Sequence, residues 1–213
     1  MFRDREDAAH RLAAAMHDFA LLDPLVLAIP RGGVVTGAIL SHELGAELDV
    51  VLSRKLRAPG HPEFAVGAIS EKGEVHFNAR AVEALGVSTE YLEREKAHQL
   101  SELARARRLF RSVRPEASIS GRSVIVTDDG VATGSTLMAA LQSVEAERPY
   151  EVIVAVPVAP LNHLPMLRKY CDAMVCLDSV DEFWAVGQFY EDFSTVDDEY
   201  VLAILRKFAW QAA

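Results

Sequence analysis

Val124-Ile-Val-Thr-Asp-Asp-Gly-Val-Ala-Thr-Gly-Ser-Thr136 runs from an apolar, β-branched stretch into two adjacent carboxylates, then through a short loop into residues that open a helix. A strand feeding a helix in this way belongs to a parallel α/β sheet, where ligands bind at the carboxyl ends of the strands. Backbone N–H groups at the start of the helix, with the hydroxyls of Thr133, Ser135 and Thr136 beside them, suit a phosphate monoester dianion. Asp128 and Asp129 are poor phosphate neighbours but good acceptors for a vicinal diol. Together the two halves describe a ribose 5-phosphate held at both ends. A Walker A loop needs Lys before its final Ser/Thr, and Ser135 stands there instead. The plain alternative is a strand-to-helix turn whose Asp and Thr residues act only as caps.

Working outward, four more short apolar runs read as strands: 26–29, 48–53, 152–156 and 173–177. Helical stretches lie between the strands at 34–43, 91–111, 135–146 and 161–170, and an amphipathic helix with an acidic first turn opens the chain at 4–19. Strands apolar at consecutive positions want cover on both faces, which right-handed crossover helices supply. The expected fold is an open, parallel, five-stranded α/β sheet flanked by helices, in a single domain spanning residues 1–213. Two segments break the alternation. Residues 56–78 are rich in breakers around Pro59-Gly60 and Lys72-Gly73 and read as a mobile hairpin loop. Residues of about 178–200, dense in aromatics, read as a small C-terminal hood over one end of the sheet.

Half of the 213 residues are apolar or aromatic and a quarter are charged, which fits a folded globular chain. A net charge of −9 argues against a nucleic-acid binder. The dense run Arg105, Arg107, Arg108, Arg111, Arg114 reads as a solvated helix face. No apolar run approaches the roughly 20 residues of a membrane span, and the N-terminus lacks the continuous apolar stretch of a signal peptide. A cytoplasmic location without membrane attachment is expected. Cys171 and Cys176 read as structural thiols, and no Cys/His cluster has metal-ligand spacing.

The 124–136 segment resembles the signature of type I phosphoribosyltransferases, which bind phosphoribosyl pyrophosphate. The resemblance implies that Asp128 and Asp129 take the ribose hydroxyls and that Ala132, Thr133, Gly134, Ser135 and Thr136 take the 5-phosphate. Leu27-Ala-Ile-Pro-Arg-Gly-Gly-Val34 falls where that family places its pyrophosphate loop. Gly32 and Gly33 allow close backbone approach there, and Arg31 offers a forked cation. Ser53-Arg54-Lys55 ends the second strand at the same edge, so Arg31 and Lys55 are the candidate catalytic cations. FRDREDAAHRLA, PRGG, RKLRAPGHPEFAVGAI and AVGQFYEDF resemble a less characterised branch of the superfamily. The implied reaction moves ribose 5-phosphate to a nitrogenous base or related small acceptor and releases pyrophosphate. Magnesium would serve as cofactor, held mainly by substrate oxygens.

Ala132 stands where 6-oxopurine members carry a carboxylate, which disfavours a 6-oxopurine acceptor. Glu63 and Glu71 are conceivable general bases, and Phe183 and Trp184 are the best candidates for stacking on a base. The other hood aromatics are read as packing against the core or filling an oligomer interface, a homodimer included. A non-catalytic sensor of phosphoribosyl pyrophosphate, and a hydrolase with water as acceptor, are the competing readings.

Overall fold

The computed structural model describes residues 1–211, and within them all side chains except those of residues 62, 63 and 209–211. The chain order is α1 (Arg5–Ala15), β1 (Leu25–Ala28), α2 (Gly33–Glu43), β2 (Glu47–Val50), β3 (Ser53–Ala58), β4 (His61–Ser70), β5 (Val75–Phe77), α3 (Ala79–Ala84) and α4 (Thr89–Phe110). It continues through β6 (Ser123–Thr127), α5 (Ser135–Ala146), β7 (Glu151–Pro160), a 3-10 turn (Leu161–His163) with α6 (Leu164–Leu167), β8 (Ala173–Val180), a second 3-10 turn (Val186–Phe189) and α7 (Asp198–Gln211).

Five strands form one parallel sheet in the order β2-β1-β6-β7-β8, as expected. Both faces are apolar because both are covered. Val26, Ala28, Leu48, Val50, Ile125 and Ile153 pack on one side, where Leu12, Met16, Leu40, Val201 and Leu205 supply the helical cover. On the other side Leu25, Leu27, Val124, Val126, Val152 and Val154 meet Leu137, Leu141 and Val144 of α5. Helix α5 has the expected bounds. The stretch 161–170 yields only a 3-10 turn and the four-residue α6, because Pro165 lacks the N–H that a longer helix would use there.

Segment 56–78 is more ordered than a loop. Its strands begin at Ser53 and form a separate antiparallel sheet, β3-β4-β5, closed at Pro59-Gly60 and Lys72-Gly73. Leu56, Ala58, Val66 and Ile69 are buried in the same cluster as Leu103 and Phe110 of α4. A buried ion cluster fixes the far end of α4. Arg111 Nη1 lies 2.6 Å from Asp49 Oδ1, and Arg111 Nη2 lies 2.5 Å from Glu71 Oε1, with Asp49 only 1 % exposed. Arg114 pairs with Glu47. The basic run is therefore no uniform solvated face, since two of its five arginines are spent inside the protein.

Candidate functional site

Register decides what meets at the carboxyl edge. Ala28, the last residue of β1, stands beside Thr127, the last of β6, and beside Val50 of β2. The Ile29 N–H donates to the Thr127 carbonyl at 2.9 Å, so the turns that follow β1 and β6 emerge side by side. The first is Pro30-Arg31-Gly32-Gly33, with a cis Pro30–Arg31 peptide bond. The second is Asp128-Asp129. A Cβ on Gly32 would lie 1.8 Å from Asp129 Oδ2, and one on Gly33 would lie 2.9 Å from the Cα of Asp128. Only glycine fits at either position, and the two turns touch as backbone against carboxylate.

Asp129 is held from two further directions. Arg5 of α1 places Nε 2.7 Å from Asp129 Oδ2, while its Nη1 donates to the Ser194 carbonyl at 2.7 Å. The Arg5 guanidinium also lies 3.8 Å from the centroid of the Phe193 ring. The Tyr190 hydroxyl donates to the Asp129 carbonyl at 2.6 Å. Asp128 accepts the Asp129 N–H at 2.8 Å. Burial, and after it the negative charge of Asp129, holds the Asp128 carboxyl well above the ordinary carboxylate range.

Beyond the carboxylates, a cavity of about 170 Å³ is lined by Asp128, Gly130, Val131, Ala132, Thr133, Gly134, Thr136 and Leu137. Gly134 caps α5 in the left-handed conformation (φ 73°) and brings no side chain to the helix start. The positive end of α5 therefore faces this cavity with hydroxyls around it. Thr133 Oγ1 and Ser135 Oγ lie 2.8 Å apart, the spacing of one shared hydrogen bond.

A larger cavity of about 440 Å³ opens where β1 and β2 end, between β3 and α4. Its wall includes Arg31, Lys55, Leu103, Leu109 and Phe110, and Thr136 belongs to both cavities. Arg105 of α4 and Asp198 of α7 also line it. Asp198 Oδ1 lies 3.8 Å from Arg31 Nη1, and its Oδ2 lies 4.0 Å from Arg105 Nη1.

The hood candidates divide. Phe183 packs on Phe189 at a centroid distance of 5.2 Å, and Trp184 is 87 % exposed. Neither lines the two cavities. Glu71 is taken up by the Arg111 cluster and is not available as a base, while the Glu63 side chain lies outside the described residues. Among the described residues, no three His, Cys, Asp or Glu side chains converge on a metal position. Cys171 and Cys176 are free thiols, both pushed above the ordinary range by burial, Cys176 to about 11. No described helix is long and apolar enough to cross a membrane.

The family model described as "Phosphoribosyl transferase domain" matches residues 3–194. The chain belongs to the phosphoribosyl transferase family. A Mycobacterium tuberculosis relative named "Putative phosphoribosyl transferase MT0597" is 37 % identical over 205 residues, which make up 96 % of this chain and 46 % of that protein. The chain thus spans about half the length of the curated relatives it matches. The crystal structure of TT1426 from Thermus thermophilus is similar with a TM-score of 0.90 and 47 % identity, covering 97 % of this chain and 98 % of that one. AQ2163 from Aquifex aeolicus shares the fold at a TM-score of 0.51 and 14 % identity, over 85 % of this chain and 74 % of that one.

In this phosphoribosyl transferase chain Asp128, Ala132, Thr133, Gly134 and Thr136 share one cavity and Arg31 and Lys55 the other, whereas Asp129 and Ser135 line neither, Asp129 being packed against Gly32 and Arg5. From the sequence, Arg5 and Asp198 carry no assignment, Arg105 reads only as part of a solvated basic face, and Tyr190 only as a hood aromatic. Arg5 and Tyr190 lie inside the FRDREDAAHRLA and AVGQFYEDF stretches that carry the resemblance, Arg105 lies in the basic run, and Asp198 has no local signal.

Proposed function

We propose that the chain transfers ribose 5-phosphate from phosphoribosyl pyrophosphate to a nitrogenous base or related small acceptor, releasing pyrophosphate. The observation that carries this reading is the shared wall at Thr136. A small hydroxyl-lined cavity at a helix start adjoins a larger cationic one, with Asp128 at the rim of the first. Through that shared wall a donor with its 5-phosphate in the small cavity and its pyrophosphate in the larger one would have C1 near the junction.

In this reading the 5-phosphate sits on the α5 N-terminus and on the hydroxyls of Thr133, Ser135 and Thr136. Asp128 accepts from a ribose hydroxyl, and Asp129, fixed by Arg5, lies beside it. As the C1–O bond breaks, negative charge grows on the leaving group. Arg31, the Gly32-Gly33 backbone and Lys55 meet that charge with donors already in place. Strand β3 walls one side of the cavity and, backed by its sheet, would keep water from the electrophilic sugar. Trp184, exposed on the hood though outside both cavities, is the aromatic surface left for a planar acceptor. Magnesium, carried chiefly by substrate oxygens and waters, would neutralise part of the pyrophosphate charge.

The test is incubation of the folded protein with labelled phosphoribosyl pyrophosphate, magnesium and a panel of bases. Pyrophosphate release dependent on one of the bases is expected. No release with any of them overturns the proposal, and release without a base makes the protein a hydrolase.

A further inference from the structure

The walls of the larger cavity carry five cationic side chains, Arg31, Arg54, Lys55, Arg57 and Arg105, against one carboxylate, Asp198. That surplus marks a site for a multiply charged anion. The lone carboxylate stands between two of the cations, within 3.8 Å of Arg31 and 4.0 Å of Arg105. Those three residues come from the turn after β1, from α4 and from the start of α7.

We propose that Arg105, on the long helix α4, is a contact for the leaving pyrophosphate, and that Asp198 is an internal stand-in for one of its phosphates, displaced when the ligand arrives. This rests on the reading of the site given above and extends it to residues outside the two phosphate-binding turns. A carboxylate and a phosphate oxygen pair present the same hydrogen-bonding edge to a guanidinium. Both distances exceed hydrogen-bond length, so the carboxylate holds the arginines loosely enough to be exchanged. Displacing it has little structural cost, because the Tyr200 N–H at the start of α7 is capped by Asp197 Oδ1 at 2.8 Å and not by Asp198. Arg105 itself is well exposed, so replacing it leaves the core intact.

The experiment is titration calorimetry of the folded protein with two probes, inorganic pyrophosphate with magnesium and ribose 5-phosphate. Arg105→Ala is expected to weaken pyrophosphate about tenfold, the scale of one lost charge-assisted contact, with Arg105→Lys recovering part of it. Asp198→Asn is expected to strengthen pyrophosphate about threefold to fivefold by removing the competitor, and Arg105→Ala in the same chain should cut that gain. Ribose 5-phosphate should bind all variants alike. Pyrophosphate affinity unchanged by both substitutions, with ribose 5-phosphate still binding, overturns the inference alone. Absence of ribose 5-phosphate binding to the native protein overturns the functional reading beneath it.

Discussion

Arg5 and Asp129 lie 124 positions apart in the chain and meet at 2.7 Å, with both side chains largely buried. The contact ties the opening helix to the turn that follows the central strand. Through Ser194 and Phe193 the same arginine also ties both to the hood. One guanidinium thus joins three segments around a carboxylate assigned to the sugar.

Replacing Arg5 should therefore cost stability and binding together. Arg5→Ala leaves Asp129 charged and unpaired in a confined place, a loss on the order of 3 kcal/mol. Urea unfolding should show a lower midpoint at unchanged slope. Ribose 5-phosphate should bind at least tenfold more weakly, and Arg5→Lys should restore only part, since it keeps the charge and loses the fork. A midpoint equal to the native one would show that the pair carries no load.

Asp128 supplies a prediction of opposite sign. Its carboxyl is raised by burial first and by Asp129 next, so the folded protein keeps a proton that the unfolded chain releases. Stability attributable to this group falls as pH rises from the ordinary carboxylate range through the raised value. Asp128→Asn keeps the acceptor for the Asp129 N–H and removes the charge. Its melting temperature at pH 8 should exceed that of the native protein by about 3–6 °C, a gain that fades toward pH 4. Binding should move the other way, strengthening with pH in the native protein as the carboxylate forms and staying weak in the variant.

The paired glycines separate two kinds of damage. In Gly33→Ala the new methyl meets backbone, at 2.9 Å from the Asp128 Cα and 3.1 Å from the Thr127 carbonyl. Backbone yields poorly, and a loss of about 2–3 kcal/mol is expected. In Gly32→Ala the methyl meets the Asp129 carboxylate, which can swing only by leaving Arg5. Ligand binding should fail in both, with the larger drop in unfolding free energy in Gly33→Ala.

Much of this was legible in the sequence, and the reason is local. Consecutive apolar residues announce the five strands, and α5 is bounded by Ser135 and Ala146 because its entry is marked by the Thr-Gly-Ser-Thr turn. Ser53-Arg54-Lys55 reads as the end of the second strand because three polar residues after an apolar run usually stop it. Here they open a new sheet, with Leu56 and Ala58 buried in alternation. Helix α7 escapes a sequence reading although Val201 and Leu205, four apart, are both fully buried. The contacts Arg5–Asp129 and Arg31–Asp198–Arg105 join residues far apart in sequence, and no periodicity encodes such meetings.

The Arg111 cluster is the last test. Arg111→Met fills a similar volume but strands Asp49, already raised by burial, and Glu71. Removing one partner of a buried ion group costs about 3–5 kcal/mol. The cost should be greater at pH 8 than at pH 5, because the Asp49 carboxyl, raised by burial and deprived of the Arg111 charge, would retain a proton in the fold that the unfolded chain gives up as pH rises. Hydrogen exchange across β4 and β5 should quicken, since Glu71 follows β4 directly.

Arg105 sits six residues before Arg111, about 9 Å along the same rod. A rod clamped at one end turns small tilts at the clamp into larger sweeps farther out. Asp49 and Glu71 line neither cavity, yet they hold the end of the helix that carries Arg105. Variation at those buried acids will therefore register as altered affinity at a distance, and a search for functional change confined to cavity walls would overlook it.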